Sequence, residues 1–392
     1  VLLAGNMVVS AEGLGLDHPE HRLHREGLDS ALATRQDSGI RSYFSCAYDY
    51  FSVLDGGLTS GSAGMGLLDL DVELGLEELF GWERASVVVS AFAGQGSDFS
   101  ARDAGDFGVV SNLYHGNDFN MFNLYFRQGF GAGESYFKIG QIAADDEFMG
   151  ADAAGLFINS AFGPFNTQSG NMGAPIFPFA APGGLVHLVP TDRWSLTFAV
   201  YAGAAEIGES ANLGFDWQWG GAAGQALFIE SSHVINEAGG VMKVGGFHHT
   251  GEFEEFLSGD VSSGLSAVYA ILEHPVRDGS NGGCGLDVFL RGSVAGSDDR
   301  AVVTGYVDGG VVVSNLFCDG DAAGLAVSHT FFGDDYLAVT PGVSDTETAI
   351  ELTYQVPVGS HFVLQPDLQY ILDAHTSSAD TLVGGLRTVF EF

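Results

Sequence analysis

The sequence predicts an all-β fold, a transmembrane antiparallel β-barrel of about 16 strands, and three observations lead to it. Many short segments alternate apolar and polar residues, which is the period of a strand with one apolar face. Hydrophobic residues make up 46% of the 392, although the formal net charge is −36. No apolar stretch approaches the roughly 20 residues of a membrane-spanning helix. The apolar content is instead spread over short segments, as the lipid-facing positions of a barrel require.

The charge balance excludes several classes of function. With 14 Lys and Arg against 50 Asp and Glu, the chain lacks the basic surface that a phosphate backbone needs, so no nucleic-acid partner is expected. The apolar content excludes a disordered acidic protein. Neither a Gly-x-Ser-x-Gly elbow nor a zinc-protease helix motif occurs in the sequence. We therefore expect no enzyme, no catalytic residue and no resident cofactor.

Residues 1–37 precede the barrel and are expected to form a periplasmic segment with a short helix. Leucines at helical spacing place that helix at residues 18–37. It carries His18, His21 and His24, but no acidic or Cys ligand at a fixed spacing accompanies them, so a solvated face is favoured over a metal site. Whether the first residues are the end of a signal peptide or a mature terminus stays open.

The barrel itself is predicted at residues 38–392. Its clearest strand is 361–372, where Phe362, Leu364 and Leu368 alternate with Gln365 and Asp367. A soluble β-sandwich would share this period, but three successive strands with aromatic-rich outer faces favour the membrane barrel. The strands are expected at 39–54, 65–80, 83–95, 117–129, 133–144, 181–190, 193–205, 223–235, 239–250, 263–274, 283–296, 299–313, 322–333, 345–357, 360–373 and 379–392.

The connections divide into two kinds. Several are tight turns, whereas residues 96–116, 145–180 and 206–222 are long. Short periplasmic turns and long outer loops are typical of bacterial barrels, and an even strand number places both termini in the periplasm. The third outer loop, 145–180, is expected to fold inward and narrow the pore, since a loop of this length is usually functional. The alternative is an outer lid that never enters the lumen.

Eight segments carry a family resemblance, and the most specific is Leu-Gln-Pro-Asp-Leu-Gln-Tyr-Ile at 364–371. In the right order from about residue 25 to the end, they resemble the OprB-type carbohydrate-selective porins. The resemblance implies a 16-stranded outer-membrane channel that passes mono- and oligosaccharides passively into the periplasm. Members usually carry more basic residues, including an arginine-lined path, whereas this chain has 12 Arg and two Lys. The other similar segments are 67–79, 97–112, 137–148, 156–162, 245–253, 351–354 and 384–392.

The alternation also predicts which side chains face the lumen. A sugar path needs polar groups that exchange hydrogen bonds with hydroxyls, aromatic faces for the sugar ring, and binding weak enough for exit. For each residue, a solvated side chain without a specific role is the plainer interpretation. The expected basic residues are Arg127, Lys138, Lys243, Arg291 and Arg387. The expected acidic and amide residues are Asp69, Asp71, Glu73, Glu351, Asp367 and Gln369. The candidate stacking faces are Tyr125 and Tyr201 on the wall, and Trp217 and Trp219 in the fourth outer loop.

Some expectations remain alternatives at this point. The acid excess suggests a cation-preferring general diffusion porin, and a closed lumen would leave a non-conducting surface scaffold. Acidic pairs in the outer loops could bind Ca²⁺, although they lack EF-hand spacing. A Cys284–Cys318 disulfide and a homotrimer are open. Trp82 and Trp194, beside tight turns, are expected to anchor the barrel at the membrane interface.

Overall fold

The computed structural model describes residues 39–114, 116–131, 133–172, 175–203, 219, 221–279, 283–377 and 379–391. These residues form one closed barrel of sixteen antiparallel strands, in which each strand pairs with its sequence neighbours and β1 pairs with β16. The barrel predicted from the alternation is therefore confirmed. The expected N-terminal segment 1–37 with its helix, and Trp217, lie outside the described residues.

The strands all lie within a few residues of their predicted bounds. They are β1 Ile40–Gly56, β2 Ser62–Gly75, β3 Ala85–Gly96, β4 Phe119–Gly129, β5 Tyr136–Ile142, β6 Ala181–Thr191, β7 Trp194–Ala202, β8 Gln225–Val234, β9 Val241–Glu254, β10 Val261–Arg277, β11 Leu286–Ala295, β12 Val303–Ser314, β13 Ala322–Phe332, β14 Thr346–Val358, β15 Phe362–Ala374 and β16 Ala379–Glu391. Short turns join them at one end of the barrel, the turn end, and longer loops join them at the other, the loop end.

The two faces of the wall differ as the alternation predicts. On β2, Leu68 and Leu70 are 45% and 46% exposed, whereas Asp69 and Asp71, between and beside them, are buried. Successive strand residues point to opposite faces, so the leucines face outward and the acids face the lumen. The apolar half of the composition thus covers the outside, and a large part of the negative charge lies within.

The helices are short. They are α1 Leu76–Phe80, α2 Asn166–Ser169 and α3 Asp334–Val339, with a π-helical turn at Ser100–Ala104 and 3₁₀ turns at Asp152–Leu156, Ser160–Phe162 and Gly221–Ala223. Among the described residues, no helix is long and apolar enough to cross a membrane.

Helix α1 corrects the predicted end of the second strand. That strand was expected to continue to Phe80, but it ends at Gly75 and a helical turn follows. Gly81 ends the turn in the left-handed region (φ 72°), and its backbone N–H donates to the Glu77 carbonyl. Glycine adopts that conformation without steric cost. The turn exposes Phe80 and Trp82 beside the turn end.

Two long loops fold into the barrel rather than away from it. L2 comprises residues 97–118 and L3 comprises residues 143–180, both at the loop end. Phe148, Phe157 and Phe165 of L3 are almost fully buried in one cluster with wall residues such as Tyr201 and Tyr306. The inward folding predicted for the third outer loop is therefore confirmed. L2 was predicted as a long outer loop, and its inward course is new.

Candidate functional site: the lumen between L2, L3 and the wall

L3 is fastened to the wall by carboxylates that accept hydrogen bonds from its backbone. Glu351 on β14 accepts from the N–H of Ile158 (2.6 Å) and of Asn159 (2.9 Å). Glu230 on β8 accepts from Met149 N–H at 3.0 Å. An irregular loop inside a barrel leaves backbone donors without strand partners, and buried donors must be satisfied. The wall acids meet this need along the path of the loop.

Arg291 on β11 holds the same loop from its carbonyl side. Its guanidinium forms an ion pair with Asp308 (3.0 Å from Nε to Oδ1) and donates to the carbonyls of Phe162 (2.7 Å) and Gly163 (2.8 Å). The side chain is 1% exposed. Arg291 faces the lumen as predicted, but L3 covers it, so its expected place on an open solute path is corrected to an anchor of the loop.

A further cation fastens the start of L3. The Lys138 ammonium lies 2.5 Å from Glu147 Oε1, and Tyr136 donates its hydroxyl to Glu147 Oε2 at 2.7 Å. Burial alone would raise the pKa of Glu147, but the charge and hydrogen bond of Lys138 and the hydrogen bond from Tyr136 together outweigh it, and the pKa is lowered. Lys138 also lies 4.5 Å from the centre of the Tyr125 ring. Glu147 is therefore a charged partner that keeps Lys138 beneath the loop.

The two wall tyrosines are not open stacking faces. Tyr125 and Tyr201 point inward, as the alternation predicts, but they are only 2% and 0% exposed. Both belong to the apolar cluster that L3 forms with the wall. Because alternation fixes the direction of a side chain but not what lies over it, the predicted stacking role is corrected to packing.

L2 is fastened to the strands on both sides of the barrel closure, β1, β14 and β16. Arg387 on β16 donates to both carboxylate oxygens of Asp49 on β1 (2.8 and 2.9 Å) and to Asn112 of L2. Glu347 on β14 accepts from the backbone N–H groups of Phe107 (2.7 Å) and Gly108 (2.8 Å) in the same loop. Arg387, predicted to line the path, is thus also an anchor.

Asp106 lies beside Glu347 in this region. Its side chain is 8% exposed. Burial, the largest influence, raises the pKa of the Asp106 carboxyl to about 6. The aspartate is therefore poised to change its charge within the mildly acidic range.

A group of polar side chains on β14 and β15 joins the two loops. Gln369 donates to the Val110 carbonyl of L2 (2.9 Å) and accepts from the Asn159 amide of L3 (2.9 Å). Gln369 also donates to Asp367 at 2.9 Å. Glu351, Asp367 and Gln369 are all buried, so these three predicted residues lie together behind the loops and position them.

Among the other predicted residues, three keep more exposure and three acids of β2 are buried. Arg127 is half-buried, 4.1 Å from the centre of the Tyr136 ring. Lys243 is half-buried and donates to the Gly150 carbonyl of L3 at 2.8 Å. On β2, Glu73 pairs with Arg41 at 3.1 Å, and Asp69 and Asp71 point inward beside it as predicted. Trp219 is 52% exposed at the loop end.

The alternation missed residues of equal importance. Asp49 is fully buried and on the inward face of β1, in phase with Ser45 and Ala47, so the same period could have found it. Gln355 and Gln365 share the inward phase of Glu351 and Gln369, so the alternation indicates them as well. Both line an open cavity of about 540 Å³ beneath L2 and L3, a volume that includes space open to solvent.

The described residues contain neither a disulfide nor a cluster of three metal-ligand side chains. Cys46, Cys284 and Cys318 are free within the described part of the chain, so the disulfide left open between the last two is not formed. No group of three or more His, Cys, Asp or Glu side chains in the described ranges is arranged to hold a metal ion.

The comparisons with known proteins agree with this geometry. The model of the carbohydrate-selective porins, the OprB family, matches residues 60–392. No curated protein matches the chain in sequence. The high-pH structure of OprB from Pseudomonas putida is similar with a TM-score of 0.82 at 19% identity, over 93% of this chain and 97% of that one. OmpF of Salmonella typhi gives 0.59 at 8% identity, over 91% and 99%. The outer-membrane channel DcaP of Acinetobacter baumannii gives 0.55 at 12% identity, over 90% and 97%.

The solved structures share the barrel, and the family model covers nearly all of it. The chain belongs to the OprB family of carbohydrate-selective porins and is an integral outer-membrane channel for passive diffusion.

Proposed function

We propose that this chain passes small neutral carbohydrates along a path that L2 and L3 narrow together, and that it delivers them to the periplasm at the turn end. The observation that carries the proposal is the pair of inward loops, each held to the wall by buried side chains. A solute that passes beside them must lose part of its water and exchange hydrogen bonds with the wall. The path therefore discriminates by hydroxyl pattern and size, which suits a sugar more than a general mixture of solutes.

Single-channel recording in planar bilayers tests the proposal. We expect small open-channel conductance in KCl that falls in a saturable way as D-glucose is added. A sugar alcohol that is too large to enter serves as the control for viscosity. Conductance that no sugar reduces would contradict carbohydrate preference.

A cation-preferring pore is the second candidate. It is favoured because several basic residues of the lumen are paired with acids while further acids face inward. Among the described residues, Arg41, Lys138, Arg291 and Arg387 all lie in ion pairs with acids. Inward acids such as Asp69, Asp71 and Glu230 add further negative charge to the wall. A negative lumen raises the local concentration of cations. The reversal potential in a KCl gradient separates the candidates, because sugar block with weak selectivity supports the first, and strong K⁺ selectivity without block supports the second.

The assembly and orientation that accompany this function are part of the proposal. Both termini would lie in the periplasm, because short turns face that side in bacterial barrels, and three copies would associate in the membrane. A protease added to intact cells should cut loops of the loop end and spare the turns. Crosslinking in native membranes gives the copy number. Calcium at the acidic loops would show as a change in melting temperature on addition of EDTA.

A further inference from the structure

We propose that the open cavity beneath L2 and L3 at the turn end is a subsite that holds one neutral sugar before it leaves the channel. This inference rests on the proposed sugar transport and adds a defined resting place for the solute. The cavity is bounded by β1, β2, β14, β15 and β16. We refer to it below as the exit subsite.

The position of the cavity follows from the strand directions. Tyr43 and Ser45 lie near the start of β1, and Val389 and Glu391 lie at the end of β16. Because β1 starts and β16 ends at the turn end, these lining residues place the cavity at that end of the barrel. Leu113 of L2 and Leu156 of L3 also line the cavity. A solute reaches it from the loop end only after it has passed both loops, whereas among the described residues no loop lies between it and the turn end.

The lining has the two surfaces that a sugar ring needs. Leu67, Leu113 and Leu156 are apolar and are 7%, 2% and 2% exposed. The same lining includes Ser45, Gln355 and Gln365, which carry hydroxyl and amide groups. Amides and hydroxyls both donate and accept, which matches the hydroxyl groups of a sugar. Sites of this kind are largely apolar with a few placed polar groups.

The polar lining is held in place by its own contacts. Gln365 donates to the Leu156 carbonyl (2.7 Å) and to Thr353 Oγ1 (3.0 Å). Tyr43 donates its hydroxyl to Glu391 at 3.0 Å. Arg387, which also lines the cavity, is fixed by its ion pair with Asp49. Side chains that are already ordered lose little entropy when a ligand binds.

Gln355 differs from these neighbours. It is 8% exposed, and among the described residues no side-chain hydrogen bond is made by its amide. Its amide therefore remains available to a hydroxyl. The charged groups at the cavity have opposite signs, since Arg387 lies among Asp69 and Glu391. Because Arg387 is paired with Asp49, the two acids leave the lining negative, which disfavours an anionic solute, whereas a neutral polyol meets no charge repulsion. The few available polar groups keep binding weak, as release requires.

The first test fills the exit subsite. Leu67→Trp places a large ring in the cavity, and Leu68→Trp is the matched control because the next residue of β2 faces outward and is 45% exposed. The full-length protein is inserted in planar bilayers and D-glucose is added from each side. We expect the block constant for D-glucose to weaken at least tenfold in the Leu67→Trp channel and to stay at the wild-type value in the control.

The second test removes one hydroxyl partner and leaves the volume nearly unchanged. In Gln355→Leu we expect D-glucose block to weaken by about tenfold, the effect of one lost hydrogen bond, with the open conductance preserved. If Leu67→Trp fails to fold, the Gln355→Leu variant alone tests whether the exit subsite binds the sugar. Wild-type block that both variants retain would overturn the exit subsite and leave sugar transport intact. Absence of block in the wild type would overturn both.

Discussion

L2 and L3 occupy the same lumen but are fastened by different balances of charge. L3 meets wall acids at its backbone N–H groups and two buried cations, Lys138 and Arg291, each paired with an acid. L2 meets Arg387 at one point, and elsewhere its own Asp106 is buried beside Glu347. A buried acid with an acidic neighbour is costly when ionised. Two anchors of L3 are therefore neutral ion pairs, whereas one contact of L2 places the carboxyls of Asp106 and Glu347 side by side.

The largest effect should come from the cation that holds L3. Arg291→Met leaves Asp308 buried without its partner and removes the bonds to the Phe162 and Gly163 carbonyls. Loss of one member of a buried pair costs about 3–5 kcal/mol. We expect a fall of that size in the free energy of unfolding, measured by urea titration in lipid vesicles, with faster proteolysis within L3.

Arg277→Met is the control for Arg291, because Arg277 is exposed at the turn end of β10. It should change neither the unfolding midpoint nor the cleavage of L3. Equal effects in the two variants would show that the buried Arg291–Asp308 pair stabilises L3 no more than an exposed arginine does.

The next effect should fall on L2 alone. Arg387→Met removes the pair with Asp49 and the bond to Asn112. Because this cation donates to one loop residue rather than to several carbonyls, we expect a loss of about 3 kcal/mol, the lower end of the range for a buried pair. Proteolysis followed by mass spectrometry should show new cuts in L2 and an unchanged L3. Cleavage in both loops would mean that they are fastened as one unit.

The smallest effect tests the acid of L2. The pKa of Asp106 is about 6 in the folded protein and near 3.8 as its ordinary value. Because the raised pKa disfavours the charged form of the Asp106 carboxyl in the folded protein, its contribution to stability is full below about pH 4. That contribution is lost as the pH rises through 6. Asp106→Asn should remove this loss and stabilise the protein at pH 7.5 by on the order of 1–3 kcal/mol.

Melting temperatures at pH 4.5 and pH 7.5 check the Asp106 prediction, with Asp260→Asn as the control because Asp260 is exposed between β9 and β10. The wild type and the control should have a lower melting temperature at pH 7.5 than at pH 4.5. In Asp106→Asn this difference in melting temperature should be smaller. Other acids also face this group, notably Asp98 and Glu347. A pH dependence that Asp106→Asn leaves unchanged would assign the effect to those acids.

The barrel could be predicted from the sequence because alternation is a local property. Within each strand, the alternation of apolar and polar residues separates the lipid-facing side chains from the inward ones. It therefore predicts Arg291 and Gln369 on the inward face. Their roles could not be predicted in the same way. Gln369 contacts Val110, which is 259 residues away in the sequence. The alternation within one strand does not indicate which distant loop will cover a side chain of that strand. The covered tyrosines and the inward course of L2 were missed for this reason.

The pairing of the first and last strands has a consequence for biogenesis. Asp49 of β1 lies opposite Arg387 of β16 in the register that closes the ring, and 338 residues separate them in the chain. Their ion pair cannot form until the last strand has been delivered and docked against the first. Since Arg387 also donates to Asn112, L2 reaches its final seat only at closure. The part of the channel that L2 narrows therefore reaches its final width only as the ring closes.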